Sequence, residues 1–186
     1  MKVIQLNKNE AQLIKKAVNH DRDAQRILFD LYSPKMLSVC RYYISDLQHA
    51  EDVMLSGFFK VFQHLRSFRK EGSFEGWIRR IMVREAISFL RQRKHIEFSV
   101  DSVENYDQPL IELNTQLEVA EIQELIDNLP EGYRMVFVMY AIEGYKHNEI
   151  ADMLKINEGT SKSQLFKARK ILQEKVQKLN TKLSHK

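Results

Sequence analysis

Cysteine is almost absent from this chain: Cys40 stands alone among 186 residues, so no disulfide can form within the molecule. That excludes the disulfide-stapled secreted class and fits a reducing compartment. Proline and glycine are scarce too, with 3 and 6 copies, which suits helices joined by few tight turns. No apolar run approaches the roughly 18 residues that a membrane span needs. The start, MKVIQLNKNEAQL, has no apolar stretch followed by a small-residue cleavage site. The expected location is therefore the cytoplasm, without membrane insertion. Enzyme signatures are missing as well. There is no Ser-His-Asp order in motif context, no glycine-rich phosphate loop and no HExxH. The six histidines are scattered, with no Cys or second His at metal-ligand spacing. His49, His64 and His147 read as surface or capping residues, and Cys40 as a small buried hydrophobe. The expectation is a protein that is not an enzyme, with no metal and no cofactor.

One sign of charge is also missing locally. From Ile96 to Tyr133 there are ten acidic residues and no Lys or Arg. The rest of the chain then holds all 29 basic residues against 15 acidic ones, a balance of +14 hidden inside a net charge of +4. Two basic blocks flank one acidic segment. Basic blocks suit a polyanion, nucleic acid above all. A merely solvated surface has the same composition, so charge alone leaves both readings open.

What is present is helical periodicity through most of the chain, with no convincing period-2 strand. Ala24 to Ile44 carries a broad apolar pattern in which Pro34 marks a break or the first turn of a new helix. Asp46 to Leu65 reads as a long helix. Ser73 to Lys94 reads as another, with Ser73 as its N-cap. Residues 96–116 are acidic, contain Pro109 and lack a sustained period, and so read as a linker. Helical pattern resumes near Leu117. Pro130 is expected at the first position of a helix covering Glu131 to Ile142, which Glu143-Gly144 stops. Two further helices, His147 to Leu154 and Thr160 to about Leu179, flank a turn, KINEG, that contains Gly159. The reading is an all-α chain of two small helical domains, 1–95 and 117–186, joined by the acidic linker.

The last two helices have helix-turn-helix proportions. At about 100° per residue, Leu165, Ala168, Leu172, Val176 and Leu179 share one face. Ser163, Lys167 and Lys170 point roughly the other way, with Thr160 and Gln164 at the edge. Thr160, Ser163 and Gln164 are candidates for base edges, Lys167 and Lys170 for phosphates. An ordinary amphipathic helix with a solvated face is the alternative.

The N-terminal block carries two further signals. Along 50–65, Ala50, Val53, Met54, Gly57, Phe58, Val61, Phe62 and Leu65 already form a core stripe. Leu55 and Phe59 lie on another face, so this helix is either buried centrally or covers a partner. On the next helix, Trp77, Arg80, Arg84, Ser88 and Arg91 gather on the side away from Ile78, Met82, Ala86 and Phe89. The loop before it offers Phe68, Arg69 and Lys70. Arginines in line with a large ring suit a nucleic-acid backbone with unstacked bases. Core anchoring is the other reading for Trp77, and Phe74 reads as core.

FDLY (29–32), AEDVMLSGFFKVF (50–62) and FRKEGSFEGWIRRI (68–81) together resemble the first conserved domain of the extracytoplasmic-function sigma factors. LPEGYRMVFVMYAIEGYKHNEIADMLKINEGTSKSQLFKARKIL (129–172) resembles their second, through LPxxxR, EGYxxxEIA and GTxKSxxxxAR. The resemblance implies a transcription initiation factor that directs RNA polymerase core to promoters. It implies that helix 50–62 docks on the clamp helices of the β′ subunit, with Asp52, Leu55, Ser56 and Phe59 in the contact, and that the β subunit is touched as well. It implies that loop 67–75 and helix 77–91 melt the promoter element nearer the start site. The helix from Thr160 then reads the upstream element, and an anti-sigma protein is an expected partner. The chain departs from the family at Leu55 and Ser56, where a Gln and an acid are usual. Arg84 and Ser88 replace an Asn and an Asp, Ser161 takes a usually apolar position, and Gln164 stands where Arg is frequent. The rival function is a helix-turn-helix regulator that does not join polymerase. Segment 68–91 separates the two, because a reader of duplex alone has no use for it.

Overall fold

A computed structural model describes residues 2–93 and 119–183. Within them the chain is helical throughout, with no strand among the described residues, and it divides into two compact units, Met1–Arg93 and Lys94–Lys186. The acidic linker expected over 96–116 lies outside the described residues.

The first unit holds α1 (Lys2–Val18), α2 (Arg22–Tyr43), α3 (Leu47–Gln63) and α4 (Phe74–Arg93), with a 3₁₀ turn at Leu65–Ser67 before α4. Acids and hydroxyls start the helices by accepting from orphan amides. The Asp21 carboxylate accepts from Ala24 N at 2.9 Å, Asp46 from His49 N at 2.8 Å, and Ser73 Oγ from Gly76 N at 3.0 Å. The last of these is the N-cap expected from the sequence. Helices α2, α3 and α4 pack mutually around Leu28, Met36, Tyr43, Phe58, Val61, Ile78, Met82 and Val83, all buried, while α1 lies on α2. The sequence reading placed no helix at α1. Among its described side chains, Ile14 and Ala17 are the buried ones.

Pro34 corrects an expectation, because α2 runs through it unbroken. Proline has no amide for the Asp30 carbonyl, a loss of about 3 kcal/mol in a helix interior. Pro34 and Asp30 are both exposed, so water can take that carbonyl. Leu28, Tyr32, Met36, Val39, Cys40 and Tyr43 are buried on either side of the proline. At about 1.5–3 kcal/mol for each large apolar side chain, that burial outweighs the break.

The second unit holds α5 (Val119–Asp127), α6 (Glu131–Phe137), α7 (His147–Leu154) and α8 (Glu158–Leu183). Helix α6 continues into a π-helical turn, Val138–Ile142, and Gly144, at φ 76°, ends it. Pro130 is the N-cap of α6, one position before the place expected. Gly159 lies inside α8, and the turn is made instead by Lys155, whose left-handed φ of 59° closes α7, and by Asn157, whose carbonyl caps α8. Helix α8 packs against α5, α6 and α7, burying Met135, Val136, Met139, Ile150, Leu165 and Ala168.

Gly57 packs closely against α4. A Cβ there would lie 2.3 Å from Met82 Sδ and 2.9 Å from its Cε, and Met82 is fully buried. Gly57→Ala should therefore displace the buried Met82 thioether into an already filled core and lower unfolding free energy by about 1–3 kcal/mol in denaturant titration, despite the better helix propensity of alanine.

Candidate nucleic-acid interface

Helix α4 starts at Phe74, which is buried and carries the rings around it. Trp77, one turn on, stacks on Phe74 at 5.8 Å and 18°. Phe68, from the preceding loop, meets Phe74 edge-on at 5.1 Å and lies tilted against Trp77 at 5.6 Å. Such offset and edge contacts are the preferred aromatic geometries. Beside these rings the loop and the helix enclose a cleft of about 330 Å³ whose wall includes Phe68, Arg69, Glu71, Ser73, Trp77 and Arg80. That volume falls in the range of small-ligand sites. Lys70, exposed in the same loop, holds a left-handed φ of 60°. Trp77 is half-buried, packed on Phe74 and also lining the cleft, so it is both anchor and wall. Phe74 is core, as expected.

From the cleft, α4 continues as an exposed strip of Arg80, Arg84, Ser88 and Arg91. Spacings of four, four and three residues keep these four side chains on one side of the helix. Helix α3 settles its own open question. Its core stripe is buried apart from half-buried Phe62, while Phe59 is 70% exposed and Leu55 52%, so this second apolar face is surface. Asp52 and Ser56 are exposed on the same helix.

The second unit rearranges the expected reader. Thr160, Ser163 and Gln164, expected to face base edges, are buried instead of standing on the surface. Two local causes are visible. The Thr160 amide and hydroxyl both donate to Asn157 Oδ1, at 2.6 and 2.9 Å, as part of the cap of α8. The Ser163 hydroxyl donates to the Thr160 carbonyl at 2.9 Å. The helical wheel assumed one apolar stripe, whereas α8 packs on both α6 and α7 and so uses two faces. Of the expected set, Lys170 is exposed and Lys167 half-exposed. Sequence reasoning passed over Lys162, exposed, and Phe166 and Arg169, half-exposed. A wheel centred on Lys162 places Phe166 and Lys170 within about 80° of it.

His147 ties α7 to α8. Its Nδ1 lies 2.9 Å from Ser161 Oγ, its ring stacks on Tyr140 of the π-helical turn at 4.6 Å, and Arg169 sits over that same ring at 5.5 Å. Ser161, polar at a position usually apolar in the family that the sequence resembles, is fully buried against this histidine. Burial holds the His147 pKa below its ordinary value of 6.5, and Lys162 and Arg169 lower it further, against Glu158, which raises it. The unfolded chain therefore takes up a proton at His147 more readily than the folded one. Stability should fall as pH drops below 6.5. His147→Gln should flatten that slope in thermal melts followed across the acidic range, and an unchanged slope would exclude His147 as its source.

Two family models match the chain: "Sigma-70 region 2" over residues 28–96 and "Sigma-70, region 4" over residues 120–172. Among curated proteins, the "ECF RNA polymerase sigma-E factor" of Haemophilus influenzae is 27% identical, over 90% of this chain and 95% of that one. The protein of the same name from Escherichia coli (strain K12) is 29% identical, over 90% and 94%. Among solved structures, the co-crystal of the sigma factor RpoE with the anti-sigma factor NepR from Bartonella quintana matches with a TM-score of 0.53 at 21% identity. It covers 82% of this chain and 96% of that one, a likeness of fold.

Proposed function

The chain belongs to the extracytoplasmic-function (ECF) RNA polymerase sigma factor family, and from that premise we propose how its parts divide the work of initiation. The first domain, residues 1–95, binds polymerase core and captures one strand of the promoter near the start site. The second, residues 117–186, holds the upstream element. The observation that carries this reading is the aromatic cleft opening onto the exposed arginine strip of α4. Stacking one base on an aromatic ring is worth about 1–3 kcal/mol, comparable with the cost of unstacking it. Phe68 and Trp77 offer the stacking faces. Arg69, Lys70, Arg80, Arg84 and Arg91, with Ser88 among them, line the path of the backbone. The action is binding and strand opening, with no chemistry of its own, and its place is the cytoplasm where the polymerase works.

Polymerase core is the partner for α3. Leu55 and Phe59 expose a hydrophobic ridge flanked by Asp52 and Ser56, which suits the β′ clamp helices, with the β subunit contacted elsewhere. An anti-sigma protein is the partner expected to restrain the chain, as NepR binds the RpoE of Bartonella quintana. In the second domain, Lys167 and Lys170 remain as phosphate contacts, joined by Lys162. A regulator working apart from polymerase would leave the α3 ridge and the α4 cleft without a use.

Run-off transcription with purified core, with and without this protein, tests the function directly. No core-dependent transcript from any promoter of a genomic library would overturn it. Phe59→Asp should abolish co-purification with core while shifting stability by less than about 0.5 kcal/mol, as expected for an exposed position. A large fall in the thermal midpoint would instead return Phe59 to the core.

Arg84→Ala combined with Arg91→Ala should lose permanganate reactivity at unpaired promoter thymines and be partly rescued by premelted templates. Unimpaired opening by this double variant would reduce the strip to a solvated face.

A further inference from the structure

The cleft is tied to a helix outside both matched regions. The Tyr32 hydroxyl of α2 donates to Glu10 Oε2 of α1 at 2.7 Å, while the region 2 match begins only at residue 28. The Tyr32 ring meets Phe74 edge-on at 5.5 Å and 77°. Phe74 in turn touches both rings that wall the cleft, Phe68 and Trp77. An unbroken series of contacts thus runs from Glu10 to Trp77. Two further contacts follow the same line. Lys35, one turn beyond Tyr32, pairs with Glu75 in the first turn of α4 at 2.9 Å, and α1 packs on the 3₁₀ turn from which the cleft loop departs.

We propose that Tyr32, held by Glu10, is a positioning residue for the aromatic cleft, so that α1 sets how well the first domain captures an unpaired base. The buried Tyr32 ring meets Phe74 edge-on, and the hydroxyl bond to Glu10 fixes its far end as well. A charge-assisted bond of this length is among the stronger side-chain contacts, and both partners are shielded from full solvent. Fixing Tyr32 fixes Phe74, and Phe74 sets the pose of Phe68 and Trp77, the two touching rings whose open faces wall the cleft where a base would stack. The inference rests on the reading of the cleft as a strand-binding site, and it adds a control element from outside that site.

Tyr32→Phe removes the hydroxyl and keeps the ring contact. Glu10→Ala removes the acceptor from a half-buried site away from the core, so one variant remains informative if the other folds poorly. Trp77 is the only tryptophan, so its emission in the free full-length protein reports on the cleft. Titration with mixed-sequence single-stranded DNA should quench it. Each variant should weaken that binding by about three- to tenfold, the order expected for coupling through packed side chains. The double variant should lose no more than either single one, because both cut the same link. In holoenzyme, promoter opening should fall in parallel while affinity for core stays unchanged and premelted templates rescue.

Parent-like binding and opening in both single variants, or losses that simply add in the double variant, would overturn the proposal, as would parent protein that binds single strands without any change in Trp77 emission. If the parent instead supports no run-off transcription while the variants still weaken Trp77 quenching, the sigma reading falls and the positioning link stands.

Discussion

The packing of Met82 against Gly57 shows which side of α4 is turned inward. The space that a Cβ at Gly57 would take is filled by the buried Met82 thioether, so this side of α4 faces α3. At about 100° per residue, Arg80 and Arg84 lie about 160° from Met82 on either side, and Arg91 lies about 180° away. Burying Met82 therefore exposes the arginines, which would otherwise have to be desolvated at far greater cost than any packing gain. The Lys60–Glu85 pair, at 2.6 Å between α3 and α4, sits alongside the same contact. As a partly exposed pair it adds register more than energy.

The same unit tolerates features that folding alone would not select. Phe59 and Leu55 stand in solvent on a helix that has already satisfied its core. Lys70 holds a left-handed backbone in the loop that shapes the cleft, where a non-glycine residue costs about 1–2 kcal/mol. Local conflicts of this kind cluster where a surface is kept for a partner. In this molecule they fall on two neighbouring elements, the exposed face of α3 and the entrance to α4, the two surfaces proposed above for polymerase and for the opened strand.

In the second unit, polar groups do the work that apolar ones usually do. Ser161 and His147 replace a hydrophobic contact between α7 and α8 with a hydrogen bond, and the Tyr140 ring covers the imidazole. A buried polar pair is tolerable only when both members are satisfied. The departure at Ser161 thus has its counterpart at His147, a pairing invisible in either residue taken singly. Burial and the nearby Lys162 and Arg169 disfavour the charged imidazole, and this links the junction between the two helices to pH.

Helix periods, caps and the stop at Gly144 follow from local chemistry, so the all-helical architecture was legible in the chain before any packing was known. So were the strip on α4 and the apolar surplus of α3, because each is a pattern within one helix. Ser73 as a cap and Phe74 as core needed only their neighbours. The rest depended on which helices meet. Pro34 does not break α2, since burial on both sides of it outweighs one lost hydrogen bond. Thr160, Ser163 and Gln164 are inside because α8 is packed on two faces, and no single-helix wheel contains the second face. The cleft exists because Phe68, from a loop, closes on Trp77 over Phe74. Its tie to Glu10 spans helices that share no sequence motif. Periodicity is a property of one segment, so the sequence determined it; contact between segments is settled only when the whole unit chooses the arrangement that buries the most apolar surface while leaving no charge unpaired inside.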